Sequence, residues 1–235
     1  LSTCIEAFLP LPPMDTNLTG KHALVCGSTQ GIGNAVAMEF ARLGARVTLL
    51  ARNADKLKAA VALLDTRQGQ EHGILAVDMA NTDALQKALA QLMKNGPVDI
   101  LVNNTGGPPP GLAHEADTAT FADAFRLHLL SYQTLVRAVV PHMKEQKSGR
   151  IINVISTSVK QPLPNLGVSN TIRGAVANWA KTLATELGPY GITVNNVLPG
   201  ATGTERLAAI VKNKATKSGT SEDAASTAMK NEIPL

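Results

Sequence analysis

Short apolar runs alternate along the chain with longer stretches whose apolar residues recur at helical spacing. The short runs predict buried β-strands at positions 22–26, 46–50, 73–78, 99–104, 150–154 and 192–198. The longer stretches predict a first helix that starts near 32 and a second helical stretch that ends at 64. They also predict helices over 83–93, 118–143 and 168–187. Since parallel strands need long crossover connections, this alternation predicts βαβ units, and so a single α/β domain with a doubly wound parallel sheet and helices on both faces.

The two ends of the chain do not follow this pattern. Residues 1–13 have neither a starting Met nor basic residues, so we do not expect a signal peptide there. Met14 is the expected native start, preceded by a tag or upstream extension, and the domain is predicted to cover 14–207. Residues 208–235 are rich in Lys, Ser, Thr, Ala and Glu without strong apolar periodicity. They predict a flexible lid or partly ordered tail over the cleft.

Composition narrows the class of protein. With 44% hydrophobic and 17% charged residues, the chain is globular rather than disordered. The net charge of +4 is mild and the lysines are scattered, so an anionic cofactor explains it and a nucleic-acid partner is not expected. No apolar run approaches the roughly 18 residues of a membrane span. Cys4 and Cys26 are the two cysteines, and we expect reduced thiols in a cytoplasmic protein rather than a disulfide.

A glycine-rich turn between the first strand and the first helix is the main candidate for chemistry. Gly27 permits a tight exit from the strand, Gly31 lets the backbone approach phosphates, and Gly33 lets the helix pack closely on the sheet. The helix start then directs unpaired N–H groups at an anion. The turn predicts a dinucleotide site, although a plain strand-to-helix turn would have the same spacing. Its candidate cofactor residues are Gly27, Ser28, Gln30, Gly31, Ile32 and Gly33.

The end of the second strand indicates which nicotinamide cofactor is bound. An acidic residue there would contact the ribose of NAD, whereas Ala51 followed by Arg52 leaves room and charge for a 2′-phosphate. We therefore predict NADP, with NAD as the alternative and a solvated surface arginine as the simpler explanation. Asp78, at the end of the third strand, either contacts the adenine or caps its turn.

Several motifs in this order together resemble the short-chain dehydrogenase/reductase family, over nearly all of 18–204, with the closest similarity to β-ketoacyl carrier-protein reductases. The resemblance implies a Rossmann fold. It also implies that Asn103 and Gly106 line the adenosine side and steady the sheet edge, and that Asn104 binds the cofactor. Pro199, Gly200 and Thr204 would hold the nicotinamide carboxamide. The residues that carry it are the glycine turn, Asp78, Asn103, Asn104, Gly106, Ser156, Pro199, Gly200 and Thr204.

The family's catalytic Asn, Ser, Tyr and Lys are only partly retained. Ser156 is present, but the Tyr and Lys positions fall on Ser169 and Arg173, and the Asn position falls on His128. Ser169 cannot replace a phenol as an acid, while Arg173 keeps the positive charge and can hold ribose hydroxyls without relaying protons.

His128 is the remaining group that titrates near neutral pH. It either supplies the proton, directly or through water, or is hydrogen-bonded in a repacked pocket. Tyr132, one helical turn further on, is expected to pack at an interface rather than reach the cofactor. Lys160, after Ser156, either meets an anionic substrate or lies at the surface.

Two functions remain open. The first is an NADP-preferring oxidoreductase that acts on a small carbonyl or alcohol with an altered proton donor. Its substrate would lie between the Pro-rich loop at 107–111, the segment at 157–166 and the lid, all largely apolar. The second is a non-catalytic relative that binds a nucleotide or a partner subunit. The intact glycine turn and Arg52 favour cofactor binding, and the loss of Tyr and Lys favours the non-catalytic alternative.

The resemblance also implies an oligomer. Family members generally continue with a further helix and a seventh strand. If the given sequence is the whole chain, that edge strand is missing and one interface is expected to be weakened. Pairing of the helices at 118–143 and 168–187 with their mates still predicts a homodimer or homotetramer. The apolar residues of the first of these helices that are expected to face the sheet or a partner are Phe121, Phe125, Leu129, Leu135 and Val139.

Overall fold

A parallel sheet forms the centre of the protein. The structure is a computed structural model that describes residues 15–231. Its strands are β1 (His22–Cys26), β2 (Arg46–Ala51), β3 (Gly73–Ala76), β4 (Ile100–Asn103), β5 (Gly149–Val154) and β6 (Ile192–Val197). They lie in the order β3-β2-β1-β4-β5-β6, and every pair is parallel. The predicted doubly wound sheet is confirmed, and its order reverses between β1 and β4, where open α/β sheets bind ligands.

Helices connect the strands and cover both faces of the sheet. They are α1 (Gly31–Arg42), α2 (Ala54–Val61), α3 (Thr82–Lys94), α4 (Thr118–Phe125), α5 (Ser131–Glu145), α6 (Gly167–Leu187), α7 (Glu205–Ser218) and α8 (Glu222–Asn231). Asn53, Asn81 and Asp117 precede α2, α3 and α4, and each side chain accepts a backbone N–H of the first turn. These caps satisfy donors that the helix itself leaves unpaired. Helix α2 ends three residues before the predicted end at 64.

The core has two layers because alternate residues of a strand point to opposite faces. In β1, Leu24 and Cys26 pack with α3, α5 and α6, whereas Ala23 and Val25 pack with α1 and α2. All five residues of β1 are buried, as expected for a central strand covered on both sides.

The two cysteines and the expected native start can be compared with the structure only in part. Residues 1–14, which include Cys4 and Met14, lie outside the part of the chain that the structure describes. Cys26 is a buried free thiol.

The long helix predicted at 118–143 is interrupted by one π-helical turn, Arg126–Leu130, with His128 at its centre. A π-helical turn adds a residue to the turn, so it rotates the face that later residues present. Leu135 and Val139 are buried in the core, as predicted, whereas Phe125 on the other side of the interruption is 38% exposed. Apolar periodicity could not reveal this change, because the pattern remains helical on both sides of it.

The prediction of an irregular segment beyond Leu207 is wrong in its secondary structure, because helices α7 and α8 occupy most of it. The two helices pack on each other and bury Ala215 and Ala225. Contacts between small side chains need few large apolar residues, which explains why the hydropathy pattern was weak. Gly219 ends α7 in the left-handed conformation, where glycine carries no steric cost. A lid role for this segment stays a prediction.

His22 is a polar residue inside the sheet. Its Nδ1 lies 2.6 Å from the carbonyl oxygen of Pro97, and its Nε2 lies 2.8 Å from Oγ1 of Thr48. Because a carbonyl only accepts, Nδ1 carries the hydrogen, and the Thr48 hydroxyl donates to Nε2. The neutral ring therefore uses both nitrogens. Burial lowers the pKa of His22 from 6.5, an effect that the Pro97 carbonyl opposes and that nearby Arg46 reinforces.

We expect His22 to make the protein less stable in mild acid. The unfolded histidine takes up a proton below its ordinary pKa of 6.5, whereas the folded one resists it. The contribution of neutral His22 to the free energy of unfolding should be fully present above pH 6.5. It should fall as the pH drops from 6.5 towards the lowered pKa of the folded state, by at most about 1.4 kcal/mol per pH unit. Urea unfolding between pH 7.5 and 5.5 would measure this slope, which His22→Gln should reduce. His114→Gln, at a side chain that is 78% exposed, is the control. Equal slopes in wild type and His22→Gln would contradict the prediction.

Candidate cofactor and catalytic site

The glycine turn lies at the reversal point of the sheet, between the carboxyl ends of β1 and β4. Gly27 and Gly31 both adopt positive φ angles, +58° and +57°, which L side chains rarely tolerate. Nδ2 of Asn104 donates to the carbonyl oxygens of Cys26 and Gly27, at 3.2 and 3.3 Å. Asn104 therefore holds the turn in place from the end of β4. Its side chain supports the predicted cofactor site through these two hydrogen bonds.

A side chain at Gly33 would not fit. An added Cβ would lie 2.4 Å from the carbonyl oxygen of Gly27 and 2.7 Å from Nδ2 of Asn104. Helix α1 therefore packs directly on the turn, as predicted. Gln30 at its N-cap makes no side-chain hydrogen bond, and the first turn holds no acidic residue. The N–H groups of this turn are thus left for an anion.

Thr204, from the segment after β6, lies above the turn. A Cβ at Gly31 would come within 3.3 Å of Cγ2 of Thr204, so the two predicted cofactor segments face each other. Ser28 contributes differently than expected, because its buried hydroxyl donates to the Leu50 carbonyl at 3.4 Å. Only the backbone of Ser28 is therefore left for a phosphate. Ile32 is half-buried against the α1 side of the core.

Three exposed residues, Arg52, Asp78 and Gly106, lie at the outer end of the candidate site. Arg52 follows β2 directly and is exposed. Oδ1 of Asp78 accepts the N–H of Ala80 at 3.0 Å, which is the turn-capping role considered for it. Gly106 is exposed in the loop after β4, and nothing lies within 4 Å of a Cβ added there.

Asn103 belongs to a row of three amides that crosses three strands, with Asn103 and Asn153 buried and Asn196 half-buried. Its Nδ2 donates to Oδ1 of Asn153 at 2.8 Å, and Nδ2 of Asn153 donates to Oδ1 of Asn196 at 3.0 Å. Asn196 in turn donates to the carbonyl oxygen of Ala177 in α6. Asn103 thus steadies the sheet, as the resemblance implied, but its side chain lies in the sheet interior rather than along an adenosine. Sequence reasoning missed Asn153 and Asn196, although each is the second-last residue of an otherwise largely apolar strand.

The loops expected to frame a substrate come together. The N–H of Gly111 donates to the Asn165 carbonyl at 2.8 Å, and the N–H of Gly167 donates to the Gly111 carbonyl at 2.9 Å. Asn170 holds the second loop by hydrogen bonds to both backbone groups of Leu163. These bonds join the Pro-rich loop and the 157–166 segment at one edge of the cleft.

Ser156 follows β5 and is half-buried. Its Oγ accepts the N–H of Ser158 at 3.1 Å, so its own hydrogen can be donated elsewhere. The N–H of Thr157 donates to the carbonyl oxygen of Pro199, which brings the Ser156 turn beside the Pro199-Gly200 segment. Lys160 is exposed, in agreement with the surface alternative.

The two positions where the family's Tyr and Lys were expected lie inside the protein. Ser169 and Arg173 are both buried on α6, each about 7% exposed. Nη1 of Arg173 donates to the carbonyl oxygen of Val154 at 2.8 Å. The positive charge expected at this position is therefore kept, and it lies against the end of β5.

His128 is fully buried and is part of a hydrogen-bonded group that the sequence did not reveal. Oγ1 of Thr105 lies 2.7 Å from Nδ1 of His128 and 3.1 Å from the hydroxyl of Tyr132. The His128 and Tyr132 rings meet edge to face, with centroids 6.2 Å apart. The expectation that Tyr132 packs at an interface is wrong, because it is completely buried in the core. Its helical spacing from Leu135, Val136 and Val139 could have placed it there.

Burial and charge act in opposite directions on these groups. Burial raises the pKa of the Tyr132 phenol, while the guanidinium of Arg173 and the hydroxyl of Thr105 oppose that rise. Burial also raises the pKa of the Cys26 thiol to about 12, so it stays neutral and unreactive near pH 7.

Two absences hold for residues 15–231. No group of three or more His, Cys, Asp or Glu side chains is arranged to hold a metal ion. No helix in this range has the length and apolar character to cross a membrane.

Comparison with known proteins identifies relatives that match most of the chain. Gluconate 5-dehydrogenase from Gluconobacter oxydans (strain 621H) is 30% identical over 199 residues, covering 84% of this chain and 77% of the enzyme. Glucose 1-dehydrogenase from the same strain is 36% identical over 198 residues, covering 82% and 73%. The solved structure of L-sorbose reductase from Gluconobacter frateurii, complexed with NADPH and L-sorbose, superposes with a TM-score of 0.83. It is 32% identical and covers 90% of this chain and 81% of its own.

A protein described as a β-ketoacyl-ACP reductase is also among the structural neighbours, with a TM-score of 0.71 and 31% identity over 78% of this chain and 74% of its own. This agrees with the similarity expected from the sequence. The sequence pattern of the family described as short chain dehydrogenase matches residues 21–215. The match includes the glycine turn, Ser156 and Thr204. The chain therefore belongs to the short chain dehydrogenase family of oxidoreductases.

Proposed function

We propose that this chain binds NADPH and transfers a hydride between it and a small carbonyl or alcohol. The observation that carries the proposal is the glycine turn, where α1 packs so closely on Gly27 that Gly33 has no room for a side chain. The N–H groups of α1 are left uncapped by side chains at this point. An anionic pyrophosphate is the ligand that such a turn suits best.

Arg52 supports NADP rather than NAD. It is exposed immediately after β2, and the residue before it is the small Ala51. A guanidinium there can bind a 2′-phosphate with two parallel hydrogen bonds. NADPH is bound in the L-sorbose reductase structure, which covers 90% of this chain.

The residues near the cleft have distinct parts in the proposed reaction. NADPH, when bound, supplies the hydride to the carbonyl carbon. The Ser156 hydroxyl donates a hydrogen bond to the carbonyl oxygen and holds it in place, since its oxygen already accepts from Ser158. His128, the titratable group at the family's Asn position, delivers the proton to that oxygen, directly or through one water.

The substrate class follows from the cleft and from the relatives. The framing loops contain Pro108, Pro110, Pro162 and Leu163, so the cleft wall is largely apolar and stiff. Three relatives are named for sugars or sugar acids, namely gluconate, glucose and L-sorbose. A first screen should therefore contain keto sugars and polyols together with small apolar ketones and alcohols.

A second candidate is a protein that binds the nucleotide without turnover. The burial of Ser169 and Arg173 favours this second candidate. The Arg173 guanidinium already donates to the Val154 carbonyl inside the protein. The two candidates share the cofactor site and differ in whether a bound substrate is reduced. The two experiments that follow separate them.

Replacing Arg52 by Asp should weaken NADPH binding. The change removes a bond to the 2′-phosphate and adds repulsion, so the dissociation constant should rise about 10- to 100-fold, because a charge-assisted hydrogen bond contributes about 1.5–3 kcal/mol. Calorimetric titration with NADPH and with NADH would measure the change, and NADH binding should weaken far less. Lys21→Asp makes the same change of charge at an exposed lysine just before β1, at the amino-terminal ends of the strands and so away from the cofactor turn. An equal loss for both cofactors would contradict the 2′-phosphate contact.

Replacing His128 by Asn should remove turnover and spare cofactor binding. Loss of a positioned proton donor lowers the rate about 10²- to 10⁴-fold. Loss of NADPH absorbance with the best substrate of the screen measures the rate, and calorimetry measures binding. His142→Asn, near the other end of α5, is the control. A His128→Asn rate close to that of wild type would refute the proton-donor role, and wild-type protein that binds NADPH yet reduces nothing would favour the non-catalytic candidate.

We also propose that the chain forms a homodimer through an apolar groove between α4 and α6. Phe121 and Phe125 line one side of the groove, Ile172 and Ala175 line the other, and Leu130 lies at its end. Leu130 is 42% exposed although it is fully apolar. A second copy of the same face would remove these side chains from water.

Leu130→Asp should convert the dimer into a monomer, because the interface would have to bury an unpaired charge. Since Leu130 is exposed, the fold of the single chain should be unaffected. Analytical ultracentrifugation would measure the mass in solution. Leu63→Asp is the matched control, at a leucine that is 70% exposed outside the groove. A Leu130→Asp protein that remains dimeric would rule out this face.

A further inference from the structure

The group formed by Thr105, His128 and Tyr132 has a position that suggests more than packing. Thr105 lies just beyond β4, at the edge of the sheet where the cofactor turn lies. Its hydroxyl is the link between two fully buried side chains, at 2.7 Å from one and 3.1 Å from the other. Hydroxyl, phenol and imidazole can each accept one proton and donate another, so the three can form a continuous proton path.

Arg173 gives this path a direction. Its guanidinium can only donate, and it is close enough to the Tyr132 hydroxyl to interact with it by charge and hydrogen bonding. A nearby cation favours a phenol whose oxygen faces it, and Oγ1 of Thr105, at 3.1 Å, is the acceptor that the phenol hydrogen then reaches. Thr105 must then donate its own hydrogen to Nδ1 of His128. In the neutral ring, this leaves the hydrogen on Nε2.

We propose that Tyr132 is the source of the proton and that Thr105 and His128 relay it to the substrate oxygen. The inference rests on the proposed function. Tyr132 and Thr105 touch no reacting atom and are positioning residues, which act through His128. Arg173 compensates the charge that the phenol acquires. The phenol and cation of the family mechanism would thus be retained as a pair, with the phenol on α5 instead of α6.

The proton transfers balance along the chain. Once hydride from NADPH has made the carbonyl an alkoxide, the bond from Nε2 of His128 to hydrogen breaks and the O–H bond of the product forms. Nδ1 takes the hydrogen of Thr105, and Thr105 takes the hydrogen of Tyr132. His128 ends neutral with its hydrogen on Nδ1, and Tyr132 ends as a phenolate beside Arg173. After product release, one proton taken up from the solvent binds at Nε2, the hydrogen on Nδ1 returns to Thr105, and that of Thr105 returns to Tyr132 and restores the phenol.

The surroundings of Tyr132 are consistent with a transient phenolate. Arg173 contributes the positive charge from α6, and Thr105 contributes a hydroxyl from the loop after β4. Cys26 from β1 is held as a neutral thiol by burial, so it adds no negative charge near pH 7. His128 completes the group from the π-helical turn. The family's phenol position, Ser169, offers no comparable acid.

A matched pair of variants at Thr105 tests the relay. Thr105→Val keeps the shape and removes the hydroxyl, so kcat should fall at least about 10²-fold while the NADPH dissociation constant stays unchanged. Thr105→Ser keeps the hydroxyl and should restore kcat to within a few-fold of wild type. Tyr132→Phe should lose kcat like Thr105→Val, with thermal unfolding confirming that both variants fold. A Thr105→Val or Tyr132→Phe protein with wild-type kcat would overturn the relay.

The histidine tautomer provides a readout that does not depend on turnover. Long-range proton–nitrogen NMR spectra of ¹⁵N-histidine protein should show His128 with its hydrogen on Nε2, and a His128→Asn sample assigns the signal among the five histidines. His22, whose Nδ1 donates to Pro97, serves as an internal example of the opposite tautomer. Thr105→Val should change the His128 signal and leave that of His22 unchanged. A wild-type hydrogen on Nδ1 of His128 would overturn the direction of the chain.

Measuring NADPH binding and turnover of the wild-type protein before the variants separates the relay from the proposed function on which it rests. Wild-type protein that fails to bind NADPH, or binds it without reducing any substrate, overturns the proposed function. Wild-type turnover that survives in Thr105→Val overturns the relay alone.

Discussion

The close approach of α1 to the end of β1 is the constraint on which the rest of the site depends. Gly33 leaves no room for a Cβ beside the Gly27 carbonyl, and Asn104 donates to the same turn from the end of the neighbouring strand. These two features hold a helix and two strands together at the point where the sheet order reverses. The remaining elements approach this point from β2, β5 and β6, bringing Arg52, Ser156 and Thr204 to the same edge. A larger side chain at either glycine would separate the elements that form the cleft.

The buried polar residues around Arg173 differ from the family's pattern in which side chain stands at which position. The position expected for the phenol holds Ser169, and the position expected for the amine holds a buried Arg173. A buried guanidinium needs partners, and it finds a carbonyl at the end of β5 and a phenol on α5. Polar groups in this region are thus satisfied by one another rather than by water. Charge, phenol and imidazole remain within one connected group even though their sequence positions differ from the family's pattern.

Sequence analysis was most successful where the signal is local. The strands, the glycine turn and the doubly wound parallel sheet follow from apolar runs and from glycines whose spacing has a steric reason. The partners of His128 depend on the π-helical turn at Arg126–Leu130, which changes the face of the helix without changing its hydropathy. Helices α7 and α8 were missed because the apolar residues that they bury, Ala215 and Ala225, are small and leave little apolar periodicity. Contacts between distant segments, such as Thr105 with Tyr132, have no signature in either segment alone.

The row of asparagines through Asn103, Asn153 and Asn196 has a consequence for how the chain reaches its final structure. The three residues are direct register partners across β4, β5 and β6. If either outer strand slipped by one residue, its amide would turn to the other face and leave its neighbour unsatisfied, at a cost of about 1–3 kcal/mol for each lost partner. Apolar residues alone would tolerate a slip of two positions, since the same face would stay buried. The amide row therefore discriminates the native strand alignment from misaligned ones during folding.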